Sequence, residues 1–372
     1  MVNKERLVEE FLELVQIDSE SKNEAEIASV LKEKFEALGL RVIEDDTKEK
    51  TGLGSGNLIA MLAGTVASAD PILFSCHMDT VTPGNGVKPV INGDIIETDK
   101  TTILGADDKA GIAALLEGIR LLKEGNVAHG DVEFVITAGE EVGLLGSSAV
   151  DMKSLNAKYG YALDSGGSVG EIIVASPDHA KIKAKVHGVA AHAGVAPEAG
   201  VSAIEIAAKA ITNMLLGRLD EELTANIGMI NGGERTNIVC DLVELTGEAR
   251  AITFSKLENQ MKVMSEALQK AAAERGCTVD IEVSFERVGY KLEKTDRVVG
   301  VAKTAITKVG REPDFKATGG GSDANIFTIG GIPTANLGVG YLDIHSKDEK
   351  MPISELVKMT ELVVEIVKVV AS

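Results

Sequence analysis

The stretch Pro71-Ile72-Leu73-Phe74-Ser75-Cys76-His77-Met78-Asp79 decides how the rest of the chain is read. Its first part, Pro71–Cys76, is a short, mostly apolar run of the kind that forms a buried strand. The run ends at a histidine and an aspartate two residues apart. In extended chain, residues i and i+2 point the same way. A histidine that binds a metal usually donates its other ring N–H to a carboxylate, so His77 reads as a ligand and Asp79 as its partner. A self-satisfied His–Asp pair at a loop start is the bland alternative.

Other runs end in the same way. Val132–Thr137 is followed by Glu140 and Glu141, Tyr159–Leu163 by Asp164, and Pro333–Val339 by a loop holding His345. Asp107 and Asp108 open a helix expected over Gly105–Gly125, with Ile112, Leu115, Leu116, Ile119 and Leu122 on one stripe. In open α/β sheets, ligands gather outside the carboxyl ends of the strands. Taken singly, each acid could be a helix-dipole or turn residue or part of a solvated surface. Their repetition at strand ends is the signal.

The remaining elements frame this pattern. An amphipathic helix carries Leu7, Phe11, Leu14 and Val15. A second helix is expected behind a capping box, Ser21-Lys22-Asn23-Glu24, and continues through Ile27, Leu31 and Phe35 to a stop at Gly39. Alternating strands and helices predict an α/β domain with a largely buried, mostly parallel sheet. From Lys181 the order changes to strand (Lys181–His187), helix (Val201–Gly217), strands (Thr224–Ile230 and Asn237–Arg250), helix (Ser255–Gly276) and strand (Thr278–Arg287). That is the β-α-β-β-α-β order of ferredoxin-like α+β units. The α/β style resumes near residue 291 with helices at Asp296–Val309, Asp323–Ile329 and Ile353–Val370. The expected organisation is one discontinuous domain, 1–177 plus 291–372, interrupted by an inserted domain, 178–290.

Composition narrows the function. The chain has 372 residues, 44% of them hydrophobic, enough for two cores. Its 57 acidic and 38 basic residues give a formal net charge of −19. With 3% aromatics and no Trp, it offers neither a basic patch nor stacking platforms for nucleic acid, and it would repel anionic lipid. Three cysteines, Cys76, Cys240 and Cys277, with no Cys-x-x-Cys pair, suit a reducing compartment. The charged N-terminus lacks a signal-peptide core, and the longest uncharged run, Ala324–Leu342, is broken by glycines and Pro333. A soluble cytoplasmic protein is expected.

Two histidines and several carboxylates on strand ends have the donor chemistry of a two-metal hydrolase, suited to zinc, with manganese or cobalt also possible. Such ions share a carboxylate and a water and polarise a scissile carbonyl. Adjacent Glu140 and Glu141 point different ways from regular backbone, so one would bind metal and the other take the water's proton. Gly52-Leu53-Gly54-Ser55-Gly56 lacks the spacing of a dinucleotide loop.

The set Ser75–Thr80, Gly105-Ala-Asp-Asp-Lys-Ala-Gly111, Gly139-Glu-Glu-Val-Gly143, Leu163-Asp164 and His345-Ser-Lys-Asp-Glu349 resembles the dinuclear zinc exopeptidases, a family that includes peptidase T, glutamate carboxypeptidase, succinyl-diaminopimelate desuccinylase and the aminoacylases. The wording of the motifs is closest to peptidase T. The resemblance spans nearly the whole chain and implies a zinc-exopeptidase-like α/β catalytic domain with an inserted lid and dimerisation domain. It implies that His77 and Asp164 hold one metal and Glu141 and His345 the other, with Asp107 bridging, joined to Asp108 by a cis peptide. It further implies that Glu140 is the general base, that Asp79 orients His77, that His192 stabilises the oxyanion, and that Asn237 and Arg250 contact the substrate carboxylate. The implied substrate is a small peptide, cleaved by metal-activated water. The alternatives are an N-acyl-amino-acid deacylase or desuccinylase, or a non-catalytic metal- or peptide-binding protein. The implied assembly is a homodimer through the inserted domain. One departure stands out: Gly319 precedes Gly320-Gly321-Ser322-Asp323 where tripeptide-cleaving members are expected to carry an arginine. His129, His179 and His187 match no motif of the family.

Overall fold

A computed structural model describes all 372 residues, the side chain of Arg287 excepted. The chain divides into two compact units. The first comprises residues 1–174, 292–317 and 322–372, and the second residues 175–291 and 318–321. The expected boundaries lay at 177/178 and 290/291.

The first unit is built on a mixed sheet. Seven of its nine strands run in the order Arg41–Glu44, Leu58–Leu62, Val132–Thr137, Ile72–His77, Tyr159–Ser165, Thr334–Gly338 and Glu171–Ser176, and the short strands Tyr290–Lys291 and Asp314–Ala317 pair with the last. The middle four, from Val132–Thr137 to Thr334–Gly338, are mutually parallel. The flanking pairings are antiparallel. The expected mostly parallel sheet is therefore parallel only at its centre. The outermost strand, Arg41–Glu44, is largely exposed and has no need of the two-sided cover that parallel strands require. The central strands Ile72–His77 and Val132–Thr137 are buried at every residue, as their unbroken apolar runs require.

Register at the centre is set by aromatic rings. Phe74 stands opposite Phe134 on one neighbour and Tyr161 on the other. The ring centroids are 6.0 and 5.7 Å apart. Truncating a buried Phe of this kind costs roughly 3–5 kcal/mol. The alignment brings His77 level with Thr137 and puts the strand ends on one edge.

The helix Ala106–Glu124 crosses behind this edge. The sequence suggested one apolar stripe, but the helix is buried on nearly every side, lying among the central sheet and the helices Lys4–Val15 and Ile353–Ala371. Its buried acid Glu117 is satisfied by Arg6, at 2.7 Å. Gly111 makes the close approach possible. A Cβ there would lie 2.5 Å from Asp108 Oδ1 and 2.8 Å from both Cys76 Sγ and the Leu163 carbonyl.

The capping box expected at Ser21–Glu24 does not form. The helix Ala25–Ala37 begins after Glu24 without a side-chain cap. The Ser21 hydroxyl instead donates to Asp79 Oδ2 at 2.6 Å, and the Glu24 carboxylate accepts from the Lys22 and Gly54 N–H groups. Long-range acceptors outcompete the local cap.

The second unit is a five-stranded antiparallel sheet in the order Gly217–Arg218, Leu223–Gly232, Leu242–Ala251, Asp178–His187 and Val279–Arg287. Helices Ala203–Asn213 and Phe254–Ala273 supply its core, with Ile206, Leu257, Met261, Met264 and Leu268 packed on Ile182, Val186 and Leu245. The element order matches the ferredoxin-like reading, with one short extra strand at Gly217–Arg218. The strand expected from Asn237 begins only at Leu242. Residues 237–240 bond instead to the loop before the first helix, through Val239 N–H to Ala191 O at 2.9 Å and Ala203 N–H to Cys240 O at 2.8 Å. No helix is long and apolar enough to cross a membrane among the described residues.

Candidate metal centre

Four central strands deliver their polar ends to one place. His77 terminates one strand, and Asp164 lies at the penultimate position of the next. Glu140 and Glu141 follow Thr137 across a turn opened by Gly139, whose φ of 63° is left-handed. His345, also left-handed at φ 59°, lies in the loop beyond Gly338. Asp107 and Asp108 occupy the non-helical first turn of Ala106–Glu124, joined by a cis peptide.

Asp107 is the centre of the arrangement. Its Oδ1 lies 3.0 Å from His77 Nε2, and its Oδ2 lies 3.3 Å from His345 Nε2. Each imidazole has a second carboxylate. Asp164 Oδ1 is 3.8 Å from His77 Nε2, and Glu141 Oε1 is 2.9 Å from His345 Nε2. Donor atoms of His77, Asp107 and Glu141 all lie within 4.8 Å of one another. One carboxylate thus presents a different oxygen to each of two His–carboxylate pairs, the donor arrangement a pair of divalent cations requires.

Charge crowding is severe. Burial pushes the Asp164 carboxyl well above the usual carboxylate range, and Asp107 adds to the effect. Burial likewise raises the Asp107 carboxyl, but hydrogen bonds from His345 and His77 outweigh it and hold the group low. Contacts with Asp107 and Glu141 push the His345 imidazole up to about 10. Bound cations would compensate the same carboxylates directly. Glu140 stands apart from these pairs: its carboxylate has no hydrogen-bond or ion-pair partner among the described residues. Burial, with Asp164 next, raises its proton affinity well above that of an ordinary glutamate.

Asp79 does more than the sequence suggested. The His77 Nδ1 contact at 2.9 Å is to the Asp79 carbonyl oxygen, with the carboxylate Oδ1 at 3.6 Å. That fully buried carboxylate also accepts from the Glu140 N–H at 2.9 Å and the Glu141 N–H at 3.3 Å. It ties the glutamate turn to the His77 strand. Several supporting residues escaped the sequence reading. The Asn336 side chain brackets the Asp164 main chain, accepting its N–H at 3.0 Å and donating to its carbonyl at 2.6 Å. The Tyr341 hydroxyl lies 3.3 Å from Asp107 Oδ1 and 3.3 Å from Asp164 Oδ1. Buried Asp323 accepts from the Thr137 hydroxyl. Asn336 is a polar residue within a strand, Tyr341 lies in the loop that follows, and Asp323 opens a helix, so they share no pattern in the sequence.

The other three candidates belong to the second unit. His192 is exposed, and its Nδ1 accepts from the Gly194 N–H at 3.2 Å. Exposed Asn237 lies in the loop before Leu242, its carbonyl accepting from the Ala193 N–H. Arg250 pairs with Glu248 at 3.1 Å and donates to the Gly319 carbonyl at 2.9 Å. Position 319 has no arginine of its own but is in contact with one. The three unassigned histidines have local partners: His129 Nδ1 with the Gly130 carbonyl, His179 with Glu248 and His187 with Asp280.

Chemistry at the carboxyl edge of a central parallel sheet, with one carboxylate between two imidazoles, defines a metallohydrolase. Comparison with known proteins sharpens the class. Residues 73–369 match the model of peptidase family M20/M25/M40, and the chain belongs to that family of dinuclear metallopeptidases. It is 56% identical over 368 residues to the Bacillus subtilis protein YqjE, covering 99% of each chain. It is 27% identical over 416 residues to peptidase T of Geobacillus thermodenitrificans, covering 98% of each. Among solved structures it is similar to aminopeptidase PepT from Bacillus cereus, at 56% identity and a TM-score of 0.96 with both chains fully covered. It is also similar to a tripeptidase from Staphylococcus aureus, at 44% identity and a TM-score of 0.97, covering 100% of this chain and 99% of that one.

Proposed function

We propose that the chain is a peptidase T-like enzyme that hydrolyses an amide bond of a small peptide, with Glu140 as its acid–base group. The observation that carries this reading is Asp107, whose two oxygens face two separate His–carboxylate pairs. His77 and Asp164 would hold one cation, Glu141 and His345 the other, and Asp107 would serve both. Such a pair, when bound, supplies Lewis-acid activation of the attacking water and of the scissile carbonyl. Mixed imidazole and carboxylate donors favour zinc, and manganese or cobalt accept the same set.

Glu140 suits its role because its carboxylate is unpaired and its proton affinity is raised. It takes a proton from the attacking water and delivers it to the leaving amine, a contribution of roughly 10²–10⁴ in rate. Asp79 holds the Glu140–Glu141 turn so that one glutamate serves as ligand and the other as base. In the second unit, which we read as a lid and dimerisation domain, His192 would donate to the oxyanion. Asn237 and Arg250 would receive the substrate carboxylate, for which a guanidinium fork is well matched. We place the enzyme in the cytoplasm as a homodimer.

The test is a hydrolysis screen of tripeptides, dipeptides and N-acyl amino acids with added zinc, manganese or cobalt. The expected result is release of the amino-terminal residue of small peptides, lost on full chelation and restored by metal. Activity that survives complete metal removal overturns the mechanism. Exclusive turnover of N-acyl amino acids would assign the chain to deacylase chemistry at the same site.

A further inference from the structure

The loop that carries His345 holds a buried acid that no catalytic step above uses. Glu349 is 1% exposed and lies four residues beyond the histidine. Its carboxylate turns inward and accepts three main-chain N–H groups: Leu104 at 2.8 Å and Gly105 at 2.7 Å on Oε2, and Asp107 at 3.1 Å on Oε1. These donors lie 242–245 residues away in sequence. They belong to the turn that opens the helix Ala106–Glu124, where N–H groups lack helical partners. The turn is irregular, with Gly105 left-handed at φ 73° and Asp107 non-helical at φ −81°, ψ 101°. The His345 loop is itself closed. Leu342 and Lys350 exchange two backbone hydrogen bonds, at 2.9 and 3.0 Å, and the Glu349 N–H bonds the Ser346 carbonyl at 3.1 Å. One closed loop therefore supplies an imidazole to the centre and grips the main chain of the carboxylate shared across it.

We infer that Glu349 is a positioning residue that pre-forms the two-cation site, fixing the Asp107 main chain relative to His345 before any cation binds. The inference rests on the dinuclear reading of Asp107. A carboxylate suits the task because it is acceptor-only and its lone pairs can satisfy all three donors together. Glutamine would turn an amide donor toward at least one of the three N–H groups. Since Asp107 faces both imidazoles, loosening its backbone weakens both cation sites together, whereas loss of an outer ligand such as His345 weakens one first. A simple helix cap would stabilise the fold without setting cation affinity.

The experiment compares the wild-type chain with Glu349→Gln, Glu349→Ala and the exposed neighbour Asp348→Asn. Each is stripped of metal and titrated with zinc against a competing chelator. The expected result is two zinc ions per wild-type and Asp348→Asn chain. Both Glu349 variants should bind roughly ten- to a hundredfold more weakly at both sites, with kcat lowered and KM unchanged at saturating zinc. Hydrogen exchange of the metal-free wild type should already protect residues 104–107. Wild-type zinc affinity in the variants, with only a lowered melting temperature, overturns the inference. So does protection of 104–107 that arises only after zinc is added, a result that decides the matter even if the variants do not fold. A wild-type chain that binds no pair of ions would instead sink the dinuclear reading.

Discussion

The two units treat their polar groups in opposite ways. In the first, acids and histidines from four strands and a helix turn face one another at 3–4 Å, so each is defined by partners far away in sequence. In the second, where pairs also span up to 93 residues, each group meets only one or two partners on its own or an adjacent strand: Arg250 with Glu248, His179 with Glu248, and His187 with Asp280. The lesson is that a catalytic centre is recognised by convergence, whereas local pairing on a sheet face is ordinary surface chemistry. Pairs of the second kind contribute about 0–1 kcal/mol each when exposed.

The largest effect should come from breaking the convergence itself. Asp107→Ala removes the carboxylate common to both imidazoles, and the expected outcome is loss of both cations by metal analysis and of all measurable peptide hydrolysis. A variant that keeps two tightly held cations would show that Asp107 is not shared. Next comes the base. Glu140→Gln should keep both cations yet lower kcat by roughly 10²–10⁴; near-normal turnover with full metal content would assign proton transfer elsewhere. A smaller effect sharpens the contrast. His192→Ala should lower kcat by roughly 10²–10³ if its imidazole meets the oxyanion, whereas His187→Ala, which removes only an exposed pair with Asp280, should leave kinetics unchanged and stability within about 0.5 kcal/mol. Equal behaviour of the two histidines would remove His192 from the chemistry.

The strand ends were legible because a hydrophobic run that stops at His, Asp or Glu is a local pattern. His77, Glu140, Glu141, Asp164 and His345 each follow or end such a run, and the structure gathers His77, Glu141, Asp164 and His345 around Asp107. The supporting residues were not legible, because Asn336 acquires its meaning from Asp164, 172 residues away, and Tyr341 from Asp107, 234 residues away. Ser21 shows the converse failure. Its capping-box pattern was complete in sequence, yet Asp79, 58 residues away, is the acceptor its hydroxyl meets. The strand expected from Asn237 failed for a related reason: its first residues pair with the loop around His192, about 45 residues earlier in the chain.

All of the groups gathered around Asp107 lie in the first unit, while the second has its own apolar core around Met264 and Leu268. Mass action then ties the thermal resistance of the first unit to its ions. Cations at a hundred times their dissociation constant add about 2.7 kcal/mol per site to whatever holds the ligands together, and that increment falls wholly on the unit with the mixed sheet. Heated in the presence of its ions, the portion built on the mixed sheet would melt at a temperature that tracks the free ion concentration.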